Sequence, residues 1–364
     1  MVSKQKICCG LGPRGPAPLL LLLLLLLLVQ LAATQNAVCP HECVPLTQCP
    51  ELRKLLANAT QENINILRKA TCSITNIPTV CCPKPTTAPT TSLLPKDCGQ
   101  GSVIDRIIGG EVVPINAYPW MAVFGYTGPQ KLEYLCAGTV INEKYLLTAA
   151  HCVEPPLLRR KPLEVIRLGE WDVTTERDCE VKITGSEDCA PPAQDFTYEE
   201  IIIHPDYNTR ARSSDDIALI RLSRPMDLSG QSIKAICLPK PNLDIAKEVK
   251  DRQAVVAGWG FTEDGAFSDK MLHVLLPMFD HETCNLTYRG TVVKEQVCFG
   301  GNAGKDTCNG DSGGPLMLPG SSGPPFVQIG VVSYGLSPCG QEYKPAVYTS
   351  VSHYRNWIEE NLKP

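Results

Sequence analysis

The chain has 364 residues, of which 43% are hydrophobic, and a formal net charge of −4. That length allows a large core and a small extra module, and the charge excludes the basic field that gathers nucleic acid. Eighteen cysteines, without paired C-x2-C spacing next to histidines, exclude an ordinary cytosolic enzyme and point to a disulfide framework in an oxidising compartment.

In chain order, Lys4, Lys6 and Arg14 precede an apolar run from Leu19 to Val29, and the small residues Ala32 and Ala33 follow. This predicts a signal peptide over residues 1–33, cleaved near Ala33 or Thr34. The run is about half the ~20 residues that cross a bilayer, so a secreted, extracellular protein with no membrane span is expected. Removing the segment also removes Cys8 and Cys9 and leaves sixteen cysteines, all able to pair.

Residues 39–82 hold Cys39, Cys43, Cys49, Cys72, Cys81 and Cys82. So short a segment has little core and needs staples; six cysteines allow fifteen pairings, and spacing does not choose among them. Between them, Leu52, Leu55 and Leu56, then Ile64, Ile66 and Leu67, with a break near Asn58, predict one or two short helices. Residues 83–97 read PKPTTAPTTSLLPKD, the composition of an extended, poorly ordered linker open to O-glycosylation; the segment before the next domain runs over residues 83–106.

From residue 107 onward, short β-branched runs alternate with Gly, Pro and Asp turns: 122–126, 138–141, 145–148, 165–168, 218–222, 253–258, 328–334 and 346–351. Regular short strands predict an all-β barrel or sandwich. From Ser352 to Leu362, the residues Tyr354, Trp357, Ile358 and Leu362 recur at helical spacing.

Three motifs carry chemistry. Cys308-Asn309-Gly310-Asp311-Ser312-Gly313-Gly314-Pro315 surrounds a candidate nucleophile, and Thr148-Ala149-Ala150-His151-Cys152 and Asp216-Ile217-Ala218-Leu219 precede it. A serine hydroxyl is a poor nucleophile near neutrality; it needs a base, and the base needs an orienting partner. His151 can take the Ser312 proton and return it to the leaving amine, while Asp216 fixes the tautomer of His151 and stabilises its charged form. Asp215 is a rival for that role, and the D-I-A-L register favours Asp216. The order His, Asp, Ser and these motifs resemble chymotrypsin-type, trypsin-like serine proteases over about seventy per cent of the chain.

The resemblance implies a double β-barrel closed by a C-terminal helix. It also implies an oxyanion hole from the N–H groups of Gly310 and Ser312. Asp306, six residues before Ser312, falls at the base of the specificity pocket, where a carboxylate rewards cleavage after Arg or Lys. Ser333-Tyr334-Gly335 matches the strand that pairs with substrate, with Gly335 leaving the pocket mouth open. Ala346 departs from the family, which usually has glycine there; its methyl crowds a guanidinium and leaves the preference between Arg and Lys open. Pro345 disfavours the sodium site of some coagulation proteases.

Arg106-Ile107-Ile108-Gly109-Gly110 resembles a zymogen activation site. Cleavage after Arg106 would free the Ile107 amine to pair with Asp311 and order the oxyanion loop. Six cysteines ending in an adjacent pair ahead of a protease resemble the clip domain of arthropod proteases, which implies Cys39–Cys81, Cys43–Cys72 and Cys49–Cys82. In the protease, the family pairs are Cys136–Cys152, Cys284–Cys298 and Cys308–Cys339. Cys179–Cys189 matches a local bridge common in clip proteases, and Cys98–Cys237 matches the tether of the activation segment.

The resemblance implies a protein substrate, an upstream activating protease, a serpin inhibitor and a place in an extracellular cascade of innate immunity, melanisation or cytokine activation. A non-catalytic clip-domain homologue acting as a cofactor and a digestive trypsin are the alternatives. Catalysis requires no cofactor. Glu170 and Asp172 lie where trypsin-like proteases hold structural calcium, although Ca²⁺ takes six to eight oxygens. Asn58-Ala59-Thr60 and Asn285-Leu286-Thr287 are N-glycosylation sequons.

Overall fold

The computed structural model describes residues 39, 43–46, 49, 52–53, 55, 60–74, 78–82, 92–101, 110–182, 185–262, 266–304, 306–308, 310–321 and 323–364. The signal peptide expected over residues 1–33, the Asn58 sequon and the bond between Arg106 and Ile107 lie outside the described residues. The chain divides into two units, Met1–Thr90 and Thr91–Pro364.

In the first unit, strands β1 (Val44–Pro45), β2 (Thr71–Ile74) and β3 (Pro78–Val80) form an antiparallel sheet in the order β1-β3-β2. The helix Gln61–Ala70 begins at Thr60, whose hydroxyl accepts the Asn63 N–H at 3.2 Å, and ends with Arg68 and Lys69 where the helix carbonyls favour cations. Leu67 and Ala70 pack on the buried Cys49, Leu52 and Val80. So small a core leaves stability to cross-links, and the disulfides Cys39–Cys81, Cys43–Cys72 and Cys49–Cys82 close separations of 42, 29 and 33 residues.

The second unit is built from two antiparallel sheets. After β4 (Glu111–Val112) come β5 (Met121–Tyr126), β6 (Glu133–Val140), β7 (Tyr145–Thr148) and β8 (Leu163–Leu168). A hairpin of β9 (Cys179–Val181) and β10 (Glu187–Cys189) projects next, and β11 (Gln194–Phe196), β12 (Tyr198–Ile203) and β13 (Ala218–Leu222) follow. The first sheet runs β11-β8-β5-β6-β7-β13-β12. Its two edge strands are contiguous through Thr197, which brings the edges together. The second sheet comprises β14 (Gln253–Gly258), β15 (Leu272–Phe279), β16 (Gln296–Gly300), β17 (Pro315–Gly320), β18 (Gly323–Tyr334) and β19 (Pro345–Ser350), with β4 on its rim. A β14–β15 pairing closes those six strands into a barrel around Val256, Leu276, Phe299, Leu316, Ile329 and Tyr348. The C-terminal helix Val351–Asn361 buries Val351, Tyr354 and Ile358 against the other core.

One expectation needs correction. The Pro/Thr composition suggested an extended, poorly ordered linker throughout residues 83–97, but residues 92–101 belong to the second unit and pack on its core. Asn142, 3% exposed, donates its Nδ2–H to the Leu93 carbonyl at 3.2 Å, and Leu94 packs on the core. Cys98 is bonded to Cys237, the Gly99 N–H donates to Ala235, and the Gly99 carbonyl accepts from Phe326. Leu94, invisible in an average over composition, packs its side chain on the core, and the Leu93 carbonyl adds a hydrogen bond.

Candidate active site

His151 lies in a tight turn, Ala150–Cys152, directly after β7. The Cys136–Cys152 bond ties that turn to β6, and the Tyr126 hydroxyl donates to the Cys152 carbonyl at 2.8 Å. Asp216, fully buried, precedes β13 and accepts from both the backbone N–H of His151 at 3.0 Å and its Nδ1 at 2.7 Å. The Ser333 hydroxyl, from β18 of the other sheet, donates to the same carboxylate at 2.5 Å, and Thr349 donates to the Asp216 carbonyl at 2.8 Å. Burial alone would lower the His151 pKa; the charge and hydrogen bond of Asp216 reverse this and hold it above the ordinary value. Asp215, the rival, faces away, bound to Arg210 and to the Tyr354 hydroxyl.

Ser312 sits in the turn before β17, and its carbonyl accepts the Ala137 N–H of β6 at 2.8 Å. Gly313 has φ +78, and a β-carbon there would stand 2.2 Å from Thr148 Oγ1, so only glycine lets the loop meet β7 so closely. Among the described residues no hydrogen bond joins the Ser312 hydroxyl to the His151 ring; such contacts are commonly long until substrate fills the site. The N–H groups of Gly310, at φ +102, and of Ser312 have no protein acceptor among the described residues.

Asp306 accepts the N–H groups of Thr307 at 2.8 Å and Gly340 at 3.1 Å. Burial nevertheless pushes its carboxyl up to about 6, the two N–H bonds opposing. The Cys308–Cys339 bond joins the segment after Asp306 to the one that carries Gly340. Ala346 is 1% exposed, and a β-carbon on Gly335 would lie 3.7 Å from the Ala346 methyl, so this methyl faces the Gly335 wall.

Beside Asp306 a cavity of about 480 Å³ is lined by Gly110, Ala257, Gly260, Leu272, His273 and Asp311, among others. Asp311 accepts from Gly260 at 2.9 Å and Cys308 at 3.0 Å and has no cation partner among the described residues. Burial pushes its carboxyl to about 6, the two N–H groups opposing and the charge of Asp306 adding to the rise.

Glu170 and Asp172 are joined by Asp178, which the sequence reading missed; all three are buried. Glu170 and Asp178 accept the same Trp171 N–H, at 2.9 and 3.0 Å, whereas Asp172 turns to Thr174. Burial and the Asp178 charge push Glu170 up to about 7. The remaining bonds are Cys179–Cys189, which crosses the β9–β10 hairpin, and Cys284–Cys298. Asn285 lies in the helix His281–Thr287, half-buried, its Oδ1 accepting the Val292 N–H.

A trypsin-family profile matches residues 107–358, and a profile described as the regulatory CLIP domain of proteinases matches residues 40–82. Phenoloxidase-activating factor 1 of Holotrichia diomphalia is 38% identical, over 88% of this chain and 91% of its own. Melanization protease 1 of Drosophila melanogaster is 37% identical over 88% and 90%. Among solved structures, the Drosophila Grass clip serine protease of the Toll pathway aligns with a TM-score of 0.66 and 35% identity, covering 87% of this chain and 93% of that one.

Proposed function

The chain belongs to the trypsin family of serine proteases and carries a CLIP domain ahead of its protease domain, and from that premise we propose that it is a secreted zymogen. Cleaved after Arg106, it becomes an endopeptidase that cuts protein substrates after Arg or Lys within an extracellular cascade. The observation that carries this reading is the Asp216 carboxylate, shared between His151 and Ser333. The two sheets meet there, and Asp306 supplies a half-buried anion for the substrate cation. His151 takes the Ser312 proton as the hydroxyl attacks, Asp216 holds the resulting imidazolium, and the N–H groups of Gly310 and Ser312 receive the oxyanion.

Secretion is supported by the eight disulfides among the described residues, which need an oxidising compartment. Among the described residues no helix is long and apolar enough to cross a membrane. Melanisation and Toll signalling, named for two of its relatives, are the cascades proposed here. The partners are an upstream protease, a protein substrate and a serpin-type inhibitor presenting a basic residue. An upstream enzyme is favoured over self-cleavage because Asp105 sets a negative charge beside the scissile bond. The full chain, cleaved at Arg106 by an added protease, should be labelled by a serine-directed fluorophosphonate and should hydrolyse peptides after Arg and Lys. Absence of labelling would make it a non-catalytic cofactor instead.

The cavity supports the activation step. Gly110 lines it, and Ile107 lies three residues upstream, within about 10 Å of extended chain. An Ile107 ammonium entering there meets Asp311, and the pH dependence follows. Asp311 binds a proton more tightly in the folded, uncleaved chain than in the unfolded one, so its ionisation costs stability as pH rises from about 4 to about 6. Cleavage supplies a compensating cation. The melting temperature gained on cleavage should therefore be small near pH 4, grow through pH 6 and fade above ~8 as the amine deprotonates. Scanning calorimetry on a Ser312→Ala chain measures this; a gain constant from pH 4 to 7 would contradict the pairing.

The acidic loop fits a structural cation. Glu170 and Asp178 present a buried charge surplus that the Arg167 guanidinium, at 3.5 Å from Glu170 and committed to Asp195, leaves uncompensated. These two residues, with loop carbonyls, would hold calcium, which would neutralise the loop and take no part in catalysis. Saturating Ca²⁺ should raise the melting temperature by several degrees. Glu170→Gln should abolish that increment while leaving the calcium-free protein no less stable, because it removes a repelling charge. Equal calcium increments in both proteins would refute the site.

A further inference from the structure

Asp215, which the triad does not use, is held in an unusual way. It is 3% exposed and sits at φ 56, a left-handed conformation that costs a residue with a β-carbon. Ser213 and Asn208 in the same loop share that geometry, at φ 58 and 63. Something must hold a strained backbone immediately before Asp216. Arg210 grips Asp215 with two prongs, Nε to Oδ2 at 3.1 Å and Nη2 to Oδ1 at 2.7 Å. Its third nitrogen, Nη1, donates at 2.8 Å to Glu295, a carboxylate 4% exposed.

Asp215 lies between β12 and β13 of the first sheet, whereas Glu295 directly precedes β16 of the second. One planar guanidinium thus ties the loop that carries Asp216 to the barrel that carries Ser312 and Ser333, with the fixed fork geometry that a lysine lacks. The Gln296 side chain supports the same link, donating to the Ser213 carbonyl at 2.8 Å. We propose that Arg210 is a positioning residue of the triad, its guanidinium holding Asp215 in the left-handed geometry from which Asp216 reaches His151.

The other charged or titratable groups nearby cannot replace it. Tyr354 donates to Asp215, and His204 stands 4.0 Å from it. Lys294 and His353 approach Glu295 only to 3.9 Å. Around His151 the groups are Asp216 and, more weakly, Glu154, to which Tyr207 donates. Among the described residues, Arg210 alone bridges the two buried carboxylates.

This inference rests on the reading that Asp216 orients His151, and the experiment separates the two. The full chain and its variants are cleaved at Arg106 by an added protease, and active sites are counted by fluorophosphonate titration. Arg210→Met should lower kcat per titrated site by about 10- to 100-fold, as a displaced catalytic group does, with KM within about twofold. It should also move the acid limb of kcat to lower pH, because the raised His151 pKa depends on Asp216. Arg210→Lys should fall between, since an ammonium lacks the fork. In an Asp216→Asn background, Arg210→Met should cost less than about twofold, since coupled residues are not additive.

A parent-like kcat, a change confined to KM, or the full loss repeated in the Asp216→Asn background would each overturn the proposal. If Arg210→Met does not fold, Glu295→Gln decides: a smaller drop in kcat of the same kind supports the role, and a parent-like kcat refutes it. A parent enzyme that the fluorophosphonate does not label would instead refute the triad, and this inference with it.

Discussion

Ser312→Ala will abolish hydrolysis and leave the fold unchanged. The hydroxyl makes no hydrogen bond to His151 in the resting structure, and the contact that places the loop is the Ser312 carbonyl accepting from Ala137. Alanine keeps that carbonyl and fits the same turn. What disappears is the atom that attacks, and with it the two-step route through an acyl-enzyme. Losses near a millionfold in kcat follow when such a nucleophile is removed, because base and orienting acid act only through it. The variant should be secreted, be cut at Arg106 by an added protease and melt within about a degree of its parent. Residual activity above about a thousandth of the parent would mean that another group attacks.

Asp306→Ser will remove the proposed preference for Arg and Lys. In the proposed pocket a substrate cation meets the half-buried Asp306 carboxylate, aimed by the N–H groups of Thr307 and Gly340. A cation left there without it costs about 3–5 kcal/mol, which is roughly two to four orders of magnitude in kcat/KM, with apolar substrates far less affected. The pH dependence gives an independent check. With burial holding the empty Asp306 near 6, the carboxyl is protonated below that value and attracts cations weakly. Benzamidine binding to the cleaved Ser312→Ala protein should therefore weaken as pH falls through about 6, with no hydrolysis to confuse it. An unchanged cleavage preference across a peptide library would sink the assignment.

The parts of the site written as local motifs were legible in the sequence. His151 and Ser312 sit in short runs that carry their roles, the role of Asp306 came from the resemblance to trypsin-like proteases, and Asp216 could be chosen over Asp215 only by register. Parts assembled across the barrels were not legible. Ser333 was read as a strand that pairs with substrate, yet its hydroxyl also reaches Asp216 from the other sheet, a contact without local signature. Asp178 lies eight residues from Glu170 and joins it because both accept the Trp171 N–H. Among strands, β15 went unread because Leu272–Phe279 is a nearly continuous apolar run with an internal proline, which lacks the alternation that marks a half-exposed strand. The CLIP unit showed the reverse balance: its cysteines were conspicuous, and their pairing was implied only by resemblance.

The docked segment 92–101 moves the practical boundary of the catalytic unit. A recombinant enzyme begun at Ile107, the residue that the proposed cleavage would free, would lack the partner of Cys237. It would also expose the Phe326 N–H and the Ala235 carbonyl that Gly99 engages, together with the seat of Leu94. An odd thiol beside uncovered backbone and apolar surface favours intermolecular cross-linking and edge pairing. Such a product should accumulate as disulfide-bonded dimers, whereas one begun at Ser92 and cut at Arg106 should remain monomeric.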